Sequence, residues 1–261
     1  MGTRDKLAII NGDGSFEDPN VETYILGLIA GAPAPPGAFD PNASPVKIGA
    51  NAVATGANGI VIGYAASIGA QTLSTAIGLS AVANGANATA LGSNAIAAGP
   101  ESTAIGATAN VGASTSAVAV GHAANAGVNY ATAVGQGSNA VGVGSTALGQ
   151  GANSPGINAV SIGASTAAGN AAVAIGKGAS AGSPDTIAIG QNASAAPPFC
   201  ISIGTGASAT NVNQTVIKND TLRLIPRTAA VATSIVLASP SGALWSLTID
   251  DLGAPVIVAT T

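Results

Sequence analysis

The chain has 261 residues, of which 47% are hydrophobic, 3% are aromatic and 7% are charged, and its formal net charge is -4. Low charge combined with this hydrophobic content argues against intrinsic disorder, and the 36 glycines do not recur at every third position as collagen requires. The sequence contains no basic patch, which argues against nucleic-acid binding, and the single cysteine, Cys200, excludes an internal disulfide framework.

Residues 1–45 show no repeat, and we predict an attachment segment there. Asn11-Gly12-Asp13-Gly14 is typical of a turn, residues 21–30 favour a short helix or strand, and five prolines between residues 33 and 45 indicate a stiff linker. The apolar run at residues 7–10 is too short for a signal-peptide core. Residues 24–30 are also far shorter than the roughly 20 residues of a spanning helix. We therefore expect neither secretory export nor membrane insertion.

A short motif follows, which reads β-branched, small, aliphatic, glycine, and it recurs twelve times at a nearly constant spacing of about fourteen residues. We number its positions −3, −2, −1 and glycine. Repetition at this period predicts a solenoid with one coil per copy. The glycines, which we predict to form the repeat turns, are Gly49, Gly63, Gly78, Gly92, Gly106, Gly121, Gly135, Gly149, Gly163, Gly176, Gly190 and Gly204.

Alternation along a strand places positions −3 and −1 on one face and position −2 on the other. We predict that the aliphatic side chains at position −1 form the structural core of the repeats. They are Ile48, Ile62, Ile77, Leu91, Ile105, Val120, Val134, Leu148, Ile162, Ile175, Ile189 and Ile203. A weaker glycine signal halfway between the motifs predicts a second short strand and turn in every coil.

The predicted fold is therefore an all-β parallel β-solenoid of 12 to 13 coils, about 60 Å long at ~4.8 Å per coil. A coil of this size encloses little volume, and so few charges leave a large uncharged surface. Such a surface predicts association, and a closed homotrimer is the simplest way to bury it.

The sequence changes character after the last motif glycine. Residues 215–218, Thr-Val-Ile-Lys, form a degenerate thirteenth copy that is typical of a capped solenoid end. Residues 219–261 predict a small β domain with strands at 222–227, 234–238, 244–249 and 255–258. The predicted organisation is thus an attachment segment at 1–45, a repeat shaft at 46–218 and a β domain at 219–261.

Candidates for chemistry are few. His122 is the only histidine and falls in a predicted turn, and no His/Cys cluster has the spacing of a metal site. Glu101 and Asp185 are isolated acidic residues of the rod, whereas glycosidases need paired carboxylates. Residues 11–18 resemble only part of a calcium loop, and a plain turn is favoured. We predict no enzyme activity, no cofactor and no metal.

Three aromatic residues are candidate receptor contacts. Tyr64 and Tyr130 fall on or near turns of the rod, where they could stack on sugars, and Trp245 falls in the terminal domain. The alternative is that the tyrosines are neutral exposed residues and that Trp245 belongs to a core.

The pattern Ala-x-Ala-Ile-Gly-x-x-Ala-x-Ala-x-Gly, in residues 89–106 and 173–190, resembles the head repeat of YadA-like trimeric autotransporter adhesins. The resemblance covers about residues 46–218. It implies a left-handed parallel β-roll in which three chains lie side by side, used in adhesion. Residues 222–261 resemble the C-terminal ends of bacteriophage fibre proteins.

Together these resemblances imply a structural virion protein, namely a homotrimeric bacteriophage tail fibre. We expect it to be made in the host cytoplasm and to reside in the virion, bound to other virion proteins through residues 1–45. It would project to a host cell-surface receptor, for which a glycan is one candidate. The alternatives are the head of a bacterial trimeric autotransporter adhesin and a capsid decoration fibre.

Overall fold

A computed structural model describes residues 45–218 and, beyond them, the strands at residues 235–238, 244–249 and 255–260. The turn, the short element and the linker predicted before residue 45, and the strand predicted at 222–227, lie outside the described residues.

Motif positions −3 to −1 form a short strand in every coil, and thirteen of these strands stack in parallel in chain order as one long sheet. Equal motif positions pair with each other, as in Val118 with Thr132 and Ala119 with Ala133. The strands are β1 (Val46–Ile48), β3 (Ile60–Ile62), β5 (Thr75–Ile77), β7 (Thr89–Leu91), β9 (Thr103–Ile105), β11 (Val118–Val120), β12 (Thr132–Val134), β14 (Thr146–Leu148), β16 (Val160–Ile162), β18 (Val173–Ile175), β20 (Ile187–Ile189), β22 (Ile201–Ile203) and β24 (Thr215–Ile217).

The other side of each coil carries a shorter strand, as the half-repeat glycines predict. Five of these form one parallel sheet and six form another. The coil between the two sheets contributes only Asn125, which bridges to Asn110 and Asn139. The short strands are β2 (Val53–Ala54), β4 (Ser67–Ile68), β6 (Val82–Ala83), β8 (Ile96–Ala97), β10 (Asn110–Gly112), β13 (Asn139–Ala140), β15 (Asn153–Ser154), β17 (Thr166–Ala167), β19 (Ser180–Ala181), β21 (Ser194–Ala195) and β23 (Ser208–Ala209). The described part of the rod is therefore an all-β parallel solenoid, which confirms the predicted fold.

The core of the solenoid consists almost entirely of small side chains. Ala104, Ala119 and Ala133, which occupy position −2, have no exposed surface, and neither do Ala126 and Ala140 of the opposite wall. The largest fully buried side chains are Ile68, Val61 and Val111. Because the two walls of so short a coil lie close together, alanine and serine fill most of the space between them.

This narrow interior corrects the predicted core. The side chains at position −1 are half-buried or exposed on the outer face of the long sheet, with Leu91 at 42% and Leu148 at 44%. Alternation does place −3 and −1 on one face, but that face points outward because the narrow interior has no room for a complete column of β-branched and aliphatic side chains. The residues wrongly assigned to the core of the single chain are Ile48, Ile62, Ile77, Leu91, Ile105, Val120, Val134, Leu148, Ile162, Ile175, Ile189 and Ile203.

The turn after each motif strand depends on the motif glycine. All twelve of these glycines have positive φ, between +82° and +140°. The backbone stays hydrogen-bonded through the bend, as in the N–H of Gly121, which donates to the carbonyl oxygen of Ile105 in the preceding coil at 2.8 Å. Each turn is thus fixed to its neighbour as well as to its own strand.

Lysines mark both ends of the long sheet. In β1, position −2 is the exposed Lys47 rather than a small buried residue. Lys218 follows β24, and its Nζ donates to the carbonyl oxygen of Gly206 at 3.3 Å. The degenerate thirteenth motif is therefore the last coil, with a charged residue where the earlier copies have glycine.

A separate unit follows, with its boundary after Lys218. It contains an antiparallel sheet in the order β25 (Ile235–Ala238), β26 (Leu244–Ile249) and β27 (Pro255–Thr260). These strands match three of the four segments predicted from the sequence. The division at residues 45 and 218 into functional parts stays a prediction.

Candidate functional site

The outer face of the long sheet is one uninterrupted uncharged surface of aliphatic and threonine side chains. Position −3 is Val, Ile or Thr in every strand and position −1 is Ile, Val or Leu, so none of these outward residues is charged. Because the strands pair in register, like side chains form two columns along the rod, as in Ile105, Val120 and Val134. Within the described residues, nothing covers this face.

The outer face of the short strands carries a row of asparagines instead. Asn110 Nδ2 donates to Asn125 Oδ1 at 3.1 Å, Asn125 Nδ2 to Asn139 Oδ1 at 2.8 Å, and Asn139 Nδ2 to Asn153 Oδ1 at 2.9 Å. All four side chains are half-buried. This asparagine ladder crosses the coil where the short-strand sheets are interrupted, so side-chain hydrogen bonds continue where backbone pairing is reduced to single bridges.

A second amide pair lies on the motif turns of the same coils. Gln150 Nε2 donates to Gln136 Oε1 at 3.3 Å, and both side chains are exposed. No Asp, Glu, Lys or Arg occurs between Glu101 and Lys177. We call the ladder together with Gln136 and Gln150 the amide face. It is rich in hydrogen-bonding groups and has no formal charge.

The two candidate aromatic contacts on the rod are exposed and lie on different turns. Tyr64, 57% exposed, follows a motif glycine, whereas Tyr130, 62% exposed, lies on the second turn, just before the next motif strand. Trp245 lies in β26, in the other unit. Sequence reasoning missed Leu73 and Phe199, which are 58% and 56% exposed on the second turn. The sequence did contain a signal for their exposure, because both bulky residues fall at the repeat position of the turn residues Asn87 and Asn158.

These second-turn residues have a left-handed backbone, with φ of 60° at Tyr130. For a residue with a Cβ this conformation costs about 1–2 kcal/mol, and asparagine tolerates it best after glycine. We expect Tyr130→Asn to raise the free energy of unfolding by up to about 1 kcal/mol, since the exposed side chain packs little. Thermal unfolding followed by circular dichroism tests this, with Asn158→Tyr as the reverse control. A lower melting temperature for Tyr130→Asn would contradict the strain argument.

Titratable groups are sparse on the rod. His122 is exposed on a motif turn, and Glu101 Oε2 accepts a hydrogen bond from Ser116 Oγ at 2.9 Å. Glu101 and Asp185 occupy the same turn position six coils apart, about 29 Å at ~4.8 Å per coil, whereas glycosidase carboxyl groups lie within about 10 Å. The described residues contain no group of three metal-ligating side chains, and no helix among them is long and apolar enough to cross a membrane.

Comparison with protein families agrees with this geometry. The model of the YadA head domain repeat matches residues 48–66, 71–95, 84–109, 113–138, 140–166 and 167–193, together more than half of the chain. The chain belongs to the YadA head repeat family. The adhesin-like repeat read from the motif is thereby confirmed, and this family is structural rather than enzymatic.

Among solved structures, the collagen-binding domain of the Yersinia adhesin YadA is similar to this chain at 25% sequence identity. The match covers 64% of this chain and 78% of that one, with a TM-score of 0.30. No curated protein matches the chain. The YadA head repeats of this chain are thus assigned through the family model and the coil geometry.

Proposed function

We propose that the chain forms a homotrimeric adhesive rod, in which the YadA head repeats carry a contact surface away from the particle or cell that bears them. The observation that supports this best is the uncharged apolar outer face of the long sheet. An apolar patch that runs the length of the rod is larger than the patches that soluble monomers ordinarily expose. Three copies related by a closed threefold axis can cover it without open-ended growth.

The magnitudes favour association. Each of the thirteen strands offers one partly exposed side chain at position −1, and completing its burial is worth roughly 1 kcal/mol, or on the order of 10 kcal/mol per chain. Association costs about 4–15 kcal/mol in translational and rotational freedom. Added contacts from the column at position −3 make a stable trimer the expected result.

A charge on this face is expected to dissociate the trimer without unfolding the chain. Val134 occupies position −1 outside the single-chain core, so Val134→Asp places a carboxylate where three apolar faces would meet. We expect a mass of one chain by light scattering and an unchanged far-ultraviolet circular dichroism spectrum. Ser180→Asp, on the exposed outer face of the short strands, is the control and keeps the wild-type mass. A trimeric Val134→Asp protein would contradict this interface.

The carrier is proposed to be a bacteriophage virion, with the rod as a tail fibre that binds a host cell-surface receptor. The sequence resemblance of residues 222–261 to phage fibre ends supports this. Residues 1–45 would then bind other virion proteins. Antibody labelling of virions in the electron microscope tests the location, since label at the tail supports the proposal and label on the capsid supports a decoration fibre.

The second candidate is the head of a bacterial trimeric autotransporter adhesin, which the family match favours. In that case, antibody would label the bacterial surface in the absence of phage. Both candidates share the trimeric adhesive rod and differ only in what carries it.

A further inference from the structure

The asparagine ladder leaves hydrogen-bonding capacity on the surface. An asparagine amide has two N–H donors and two acceptor lone pairs. Asn125 and Asn139 each give one N–H and one lone pair to the ladder. Within the described part of the chain, their side chains make no other hydrogen bond. Each of these coils therefore presents one donor and one acceptor beside each other, repeated about every 4.8 Å along the rod.

These groups are held in place before any ligand arrives. The three Nδ2–Oδ1 bonds all run in the same direction, which orients the amides alike. At the N-terminal end, the N–H of Gly112 donates to Asn110 Oδ1 at 3.2 Å and fixes the first amide. Ordering a flexible side chain costs about 0.5–1.5 kcal/mol on binding, and the ladder removes much of that cost.

The surface beside the first two amides of the ladder is open. At the next outward position after Asn110 and Asn125, the chain has Gly112 and Gly127. A Cβ at Gly112 would have no atom within 4 Å, and one at Gly127 would meet Asn125 Oδ1 at 3.4 Å as its nearest neighbour. The absence of side chains at these two positions lets a flat ring approach the amides.

The second turn of the same coils adds apolar contacts. Tyr130 belongs to the coil of Asn125, and Val143 and Ile157 belong to the next two coils. They are 62%, 45% and 48% exposed, respectively. Aromatic and aliphatic groups next to a few fixed polar groups are the usual composition of a small-molecule site.

We propose that the amide face of this chain binds a neutral glycan chain. Paired donors and acceptors match neighbouring sugar hydroxyls, and the apolar turn residues match the faces of sugar rings. Nucleic acids and acidic glycans call for Lys or Arg, which this stretch lacks between Glu101 and Lys177. The inference rests on the proposed adhesive function and names its ligand class.

The test uses the full chain on a panel of immobilised neutral oligosaccharides with sialylated and sulfated counterparts. The double variant Asn125→Thr/Asn139→Thr removes two ladder amides. Threonine suits this row of the short-strand face, because Thr166 already pairs with Asn153 there. We expect at least tenfold weaker binding to the neutral sugars that the wild type binds. Ser194→Ala, in the same row outside the ladder, should bind like the wild type.

A second variant covers the case in which the ladder is needed for folding. Gly127→Val keeps every amide and fills the open surface beside Asn125. The same repeat position is already valine one coil later, at Val141. We expect this variant to weaken binding as well. Wild-type affinity in a folded double variant or in Gly127→Val would overturn the proposal, as would a trimeric wild-type rod that binds only acidic sugars or none. The adhesive function itself fails on a different result, a monomeric wild-type protein that binds no cell surface.

Discussion

Gly121→Ala is expected to break the rod at its centre. Gly121 has φ of +135°, and a Cβ there would lie 2.6 Å from the carbonyl oxygen of Gly135 in the next coil. Real Cβ atoms do not approach a backbone oxygen so closely, so neighbouring coils must separate. The strained backbone alone costs about 1–3 kcal/mol, and lost stacking adds to it. Because each coil contacts only its neighbours, the damage divides the stack in two.

Thermal unfolding by circular dichroism and amide hydrogen exchange would measure this effect. Exchange should be fastest in the coils on either side of residue 121. Gly137→Ala is the matched control, since Gly137 has φ of +63° and a Cβ there meets no atom within 4 Å. It should cost no more than about 1–2 kcal/mol, the penalty of a left-handed backbone. Equal destabilisation by the two variants would contradict the close-approach argument.

Ala133→Leu is expected to prevent normal folding of the central coils. Ala133 has no exposed surface and pairs with Ala119 and Ala147 in the adjacent coils. Overpacking a core costs about 1–3 kcal/mol when neighbours can shift, and more when they cannot. Here the walls are two backbone strands of the same coil, so little movement is possible.

The adjacent residue provides the control for Ala133→Leu. Val134→Leu changes an outward position where the next coil already has Leu148. We expect it to stay within about 1.5 kcal/mol of the wild type, as hydrophobic swaps at tolerant sites do. Melting temperatures of the two variants, measured at one protein concentration, decide the point. An Ala133→Leu protein as stable as Val134→Leu would mean that the interior has room and that the described core is wrong.

The number and register of the coils were predictable because the motif repeats almost without change. A constant spacing, a glycine at every bend and β-branched residues before it leave few alternatives to stacked parallel strands. The degenerate motif that ends at Lys218 also located the last coil. These features are local in sequence, and every copy of the motif predicts the same strand and the same turn.

The inward face was not predictable from hydrophobicity alone. Alternation separates position −2 from positions −3 and −1, but the more hydrophobic set points outward. Volume decides between the two faces, because the narrow interior is filled mainly by small side chains such as Ala119 and Ala133, and the larger set that includes Ile105 and Val134 lies outside. The small side chains at position −2, which is Ala or Ser in ten of the twelve copies, were the available signal.

The amide face needed the register of the fold. Asn110, Asn125, Asn139 and Asn153 recur once per coil, yet asparagine is common in turns, and spacing does not distinguish a turn from a strand. Only the pairing of the short strands aligns the four amides. The exposure of Phe199 likewise follows from its place on a turn rather than from its residue type.

The absolute mass of the wild-type protein, measured by light scattering after size exclusion, tests the trimeric rod most directly. We expect three times the chain mass of 24.4 kDa. A mass of 24.4 kDa would contradict it, because the apolar outer face would then be exposed to water along the whole rod.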